Sequence, residues 1–125
     1  MPAQLTVYYN TKCPVCDAGI GWQKRKLIAA AKAGRIDFRD INDEPDALAA
    51  FGAGVDDVRL RLHALDAGGR LYVGMDAAIA IWRATPGEEW IAALLGAPGV
   101  IRLARLAYDR FATALRGWNK RAGRW

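Results

Sequence analysis

The spacing of apolar and polar side chains changes several times along the chain, and each change marks a predicted element. Leu5–Tyr9 is a β-branched and aromatic run that stops at Asn10, Thr11 and Lys12, as a buried strand does on entering a loop. Pro14 suits a first helical turn, and Val15–Ala33 is rich in Ala, Lys, Leu and Ile, with Gly19 and Gly21 the residues that speak against a helix. Gly34 is placed to close that helix, and Ile36–Ile41 alternates apolar with charged residues as a half-buried strand should.

Pro45–Phe51 reads as a short helix capped from Asn42, Asp43 or Glu44. Arg59–Leu65 and Arg70–Val73 read as antiparallel strands joined through Asp66, Ala67, Gly68 and Gly69, whose glycines supply the positive φ of a tight hairpin. Asp76 opens an Ala-rich helix, and Thr85-Pro86-Gly87-Glu88 has the form of a capping box that opens another. From Pro98 onward, Val100, Leu103, Ala104, Ala107, Phe111 and Leu115 are assigned to one helical face and Arg102, Arg105, Asp109 and Arg116 to the rest. Trp22, Trp82 and Trp90 fall inside predicted helices and are expected to pack. The order strand, helix, strand, helix, hairpin, helix predicts an α/β protein with a thioredoxin-like βαβ-ββα core and additional C-terminal helices. It is read as one domain over residues 1–125, with 98–125 a basic helical extension.

Composition narrows the class without choosing a partner. The chain has 125 residues, 53% of them apolar, which suffices for one hydrophobic core. A formal net charge of +5 fits attraction to acidic partners or weak non-specific binding to nucleic acid or membrane surfaces. Met1–Tyr9 lacks the basic start and long apolar run of a secretory signal, so a cytoplasmic location is expected, and the helical stretches carry Arg too often for a membrane span.

Two cysteines, Cys13 and Cys16, then carry the chemistry. A disulfide closing so short a loop constrains the unfolded chain little, so in a reducing compartment the pair reads as redox chemistry or metal binding rather than as a staple. Zinc needs four ligands, and the chain offers no third cysteine and a single histidine, His63, whose place in a predicted strand marks it as a packed or surface residue rather than a ligand. No metal and no cofactor is therefore expected. With a helix starting at Pro14, Cys13 lies where unpaired N–H groups and the helix dipole favour a thiolate, and Lys12 adds a nearby positive charge. Helix-start cysteines of such motifs ionise at about 3.5–7.5 rather than about 8.5. Cys16 follows one turn later on the same face, within reach of a disulfide. Cys13 is thus the expected nucleophile and Cys16 the resolving thiol, while Pro14, which lacks an N–H, tunes the pair.

Other clusters have plainer readings. Asp37, Asp40, Asp43 and Glu44 sit on an alternating strand and its loop, where carboxylates serve solvation and capping. Arg102, Arg105, Arg110, Arg116, Lys120, Arg121 and Arg124, with Trp118 and Trp125 among them, form a basic C-terminal end that reads first as a solvated helix face. Its sharper reading is a docking surface for an acidic partner, which supports an alternative function as a non-enzymatic binding module. No motif for specific nucleic-acid recognition accompanies it.

Tyr8-Tyr9-Asn10-Thr11-Lys12-Cys13-Pro14-Val15-Cys16 resembles the opening of the DCC thiol–disulfide oxidoreductase-like family, Tyr-Asp-Gly-x-Cys-Pro-x-Cys. Leu65–Gly74, Gly74–Ala77, Pro98–Val100 and Tyr108–Ala112 are similar to later parts of that family, so the likeness spans nearly the whole chain. The resemblance implies a thioredoxin-like fold with the cysteines as redox centre and a disulfide-containing protein or small thiol as substrate. The Cys-Pro-x-Cys motif is also similar to glutaredoxin, which implies glutathione as a candidate co-substrate. Two departures stand out: Asn10 replaces the family's acidic residue and Thr11 its glycine, and Asp57-Val58-Arg59 lacks the proline that thioredoxins carry, in cis, before the third strand.

Overall fold

A computed structural model describes residues 4–27 and 35–123. Strand β1 is Leu5–Tyr9, and helix α1 runs Pro14–Lys26; the predicted continuation of that helix over 28–33, with Gly34, lies outside the described residues. Strand β2, Ile36–Asp40, is followed by turns and a 3₁₀ turn at Ala49–Phe51, then by α2, Val55–Leu60. The hairpin β3, His63–Asp66, and β4, Leu71–Val73, leads to α3, Met75–Ala84; α4, Glu89–Leu95; and α5, Val100–Arg121.

The four strands form one sheet in the order β2-β1-β3-β4. β1 pairs parallel with β2, Leu5 opposite Ile36, and antiparallel with β3, Tyr8 opposite His63. This is the thioredoxin-like fold, with helices added at the C-terminal end. Its period-two alternation fills both faces of the sheet. Leu5, Val7 and Tyr9 pack with Ile20 and Leu27 from the α1 side and with Ala77, Ala80 and Ile81 of α3. Tyr8 faces the other way, toward Ile41, Leu48, Ala53 and Val58.

Several expectations need correction. Arg59–Leu65 is not one strand: Arg59 and Leu60 end α2, and β3 begins at His63. Asp56 and Asp57 lie in the first turn of α2, where the helix dipole favours carboxylates, and the Asp57 side chain accepts the Gly54 N–H at 2.8 Å. The predicted helix over Pro45–Phe51 reduces to the 3₁₀ turn, closed by Gly52 at φ +78°. Thr85 does not cap α4; its hydroxyl donates to the Ile81 carbonyl at 2.7 Å and accepts from Gln23 Nε2 at 3.2 Å, which leaves it on α3.

The packed face of α5 also differs from the expected one. Ala104, Ala112 and Asn119 are buried on it, whereas Leu103, assigned to the packed face, is 71% exposed and Phe111 56%. Trp22 and Trp90 are likewise exposed rather than packed, with Trp22 lying against Arg25 and Lys26. Among the described residues no single helix is long and apolar enough to cross a membrane.

Candidate redox site

The site begins where β1 ends. Tyr9 is still in the sheet, Asn10–Lys12 form the connecting loop, and Cys13 is the residue that caps α1, with φ −87° and ψ 114° and Pro14 in the first turn. Extended geometry at the cap turns the Cys13 side chain back over the helix start, where Sγ accepts the Cys16 N–H at 3.4 Å. A thiol thereby fills a place usually held by a Ser, Asp or Asn oxygen. Both cysteines are unbridged. Burial, the hydrogen bond to Cys13 and the charge at Cys13 push the Cys16 thiol up to about 12.

The loop before the motif is tied to the end of β2. The Thr11 hydroxyl donates to Asp40, and the Asn10 side-chain oxygen accepts from the Lys12 N–H at 3.1 Å and from Asn42 Nδ2 at 2.8 Å. Burial raises the Asp40 carboxyl, but hydrogen bonds from Thr11 and Asn42 outweigh it and hold the group below its ordinary value. Arg59 extends the chain of contacts, donating to Asn42 Oδ1 at 3.0 Å. Asn10 is 1% exposed, and Thr11 makes a side-chain contact that glycine could not.

A match to the DCC1-like thiol-disulfide oxidoreductase family covers residues 7–121. The chain belongs to that family. Searches of curated proteins and of solved structures gave no match. The Cys-x-x-Cys motif of this DCC1-like chain sits beside a cavity of about 370 Å³ lined by α1, the segment 58–62, α3 and α5. Cys16 is part of its wall. Cys13 is 1% exposed and does not line the cavity, so exposure within the pair runs opposite to the expected order of attack.

Of the other residues singled out from sequence, Lys12 is exposed, with its backbone rather than its side chain tied to the loop. His63 is buried, its Nδ1 2.8 Å from the Arg61 carbonyl, and burial lowers its pKa. Among the described residues there is no group of three metal-ligating side chains. The acidic residues near β2 divide: Asp37 and Glu44 pair with Arg39 at 2.7 and 2.9 Å, and Asp40 holds the site loop.

Tyr108 of α5 is a site residue that sequence reasoning did not single out as such. Its oxygen accepts the Leu62 N–H at 2.9 Å, and burial pushes its phenol up to about 12, with the charge at Cys16 a smaller cause in the same direction. Gly74 makes room for the Tyr108 ring: a Cβ there would lie 3.3 Å from it, and the glycine holds φ +65°. Leu62 and Arg61 stand before β3 where thioredoxins carry proline, and no cis peptide is present among the described residues. Sequence separation hid this contact, since Leu62 and Tyr108 are 46 positions apart.

Proposed function

We propose that the chain exchanges disulfides through Cys13 and Cys16, with Cys13 attacking and Cys16 resolving. The observation that carries this reading is the cap: Cys13 Sγ receives the Cys16 N–H at the positive end of α1. A thiolate there meets a donor that neutral packing would not require. Cys13 attacks one sulfur of a substrate disulfide and expels the other as a thiol or thiolate. Cys16, whose proton leaves as it attacks, then displaces the first sulfur and closes the protein disulfide. A dithiol reductant must reopen it. Family membership supports the same chemistry.

Exposure favours a second reading, in which Cys16 meets the substrate first because it lines the cavity and Cys13 does not. Against it stands the Cys16 proton: at neutral pH a thiol held near 12 is ionised in a very small fraction of molecules. One experiment separates the two. Cys16→Ser should accumulate a mixed disulfide and Cys13→Ser should not; the reverse result establishes the second reading. Titration of the wild-type pair should give a potential within about −270 to −120 mV, and a pair that cannot be cycled sinks both readings.

A further inference from the structure

The cavity beside Cys16 has a chemical character that the exchange reaction does not demand. Its walls include Val15, Ile20, Val58, Trp82 and Phe111, and they are overwhelmingly apolar. Two arginines reach it, yet both are already engaged: Arg59 donates to Asn42 at 3.0 Å, and Arg61 to Asp109 at 2.8 Å. Charges so occupied offer little to the carboxylates of a glutathione-like ligand. The main chain is occupied as well. Leu62 gives its N–H to Tyr108 at 2.9 Å, and its carbonyl takes the Gly74 N–H at 2.7 Å, so a peptide cannot pair with this residue as it would with an open strand edge.

We propose that the cavity is the substrate subsite, and that it takes a small organic disulfide bearing an uncharged aromatic or branched alkyl group. This rests on the exchange chemistry proposed above but not on which cysteine attacks first. The walls hold the apolar group beside Cys16. Reaction converts one substrate disulfide and the two protein thiols into two substrate thiols and one protein disulfide, with two electrons and two protons passing to the substrate. Gly19 lines the cavity, and a Cβ on it meets nothing within 4 Å. The helix therefore admits a larger side chain there without backbone strain.

Single-turnover oxidation of pre-reduced protein tests the subsite with three probes. These are the mixed disulfide of 2-mercaptoethanol with thioglycolic acid benzylamide, bis(2-hydroxyethyl) disulfide and glutathione disulfide. Each rate constant is divided by that for free dithiothreitol, which removes intrinsic reactivity. The benzylamide probe should react about tenfold faster than either other disulfide on this scale and should saturate, a preference worth about 1.4 kcal/mol. Gly19→Leu should erase most of that ratio. Equal normalised rates, or a preference for glutathione disulfide, would overturn the subsite while leaving exchange intact. Failure to react with any of the three would remove the exchange reading, and the subsite with it.

Discussion

Burial at a single sulfur sets a pH dependence that the oxidised protein does not share. The Cys16 thiol is pushed up to about 12 in the fold, whereas in the unfolded chain a cysteine ionises near 8.5. A raised pKa means that the folded state keeps a proton which the unfolded state gives up. Stability from this group is therefore complete below about pH 8.5 and declines as pH rises toward 12. Reduced protein should lose on the order of 1 kcal/mol between pH 7 and pH 9.5 from this source, after allowance for partial solvent screening. The Cys16→Ala variant and the oxidised protein should lose less over the same interval. Urea midpoints at the two pH values measure it, and parallel declines in all three species would contradict the burial of that proton. Tyr108, also held near 12, adds its own loss only above about pH 10, where an unfolded tyrosine ionises.

Helix α5 shows how a face can be misread when its apolar residues outnumber the space beneath it. Its packed side carries small residues, Ala104 and Ala112, because the helix lies close to the elements under it, while Leu103 projects 71% exposed. Ala112→Leu should then cost about 1–3 kcal/mol by overpacking, whereas Leu103→Lys should stay within about 0.5 kcal/mol of the parent. Denaturant midpoints of the two variants decide the face, and the opposite ranking would restore the assignment made from periodicity. Elements with one dominant signal were legible from sequence: β1 from its β-branched run, the start of α1 from Pro14, and the hairpin from Gly68 and Gly69. Arg59–Leu65 was not, because alternating Arg and Leu over so few residues satisfies a strand while the Asp pair upstream satisfies a helix. The site divided the same way. Cys13 and Cys16 announce themselves by spacing, but Asp40 meets Thr11, Asn42 meets Asn10 and Tyr108 meets Leu62 only through folding, across 29, 32 and 46 positions of chain.

At the scale of the molecule, the sheet order is what surrounds the four-residue motif with neighbours distant in sequence. With β1 inside the sheet, its C-terminal end meets the loop after β2, the segment before β3 and the face of α5 at one place. An unfolded chain offers none of these neighbours to the cysteines. The folded environment must therefore favour one redox form over the other, and by a thermodynamic cycle that preference equals the difference in folding stability between the two forms. Closing a loop as short as Cys13–Cys16 contributes little entropy to the oxidised side. Oxidation also ties into a disulfide the free Cys13 sulfur that accepts the Cys16 N–H at the start of α1. The reduced protein should accordingly be the more stable at pH 7, by about 0.5–1.5 kcal/mol for one hydrogen bond. Its pair should then stand roughly 10–30 mV above that of a Cys-Pro-Val-Cys peptide, at about 30 mV per 1.4 kcal/mol. Urea unfolding of both forms and redox titration of protein and peptide give the two sides of the cycle independently. An oxidised form as stable as the reduced one would mean that the cap at Cys13 does not set the potential.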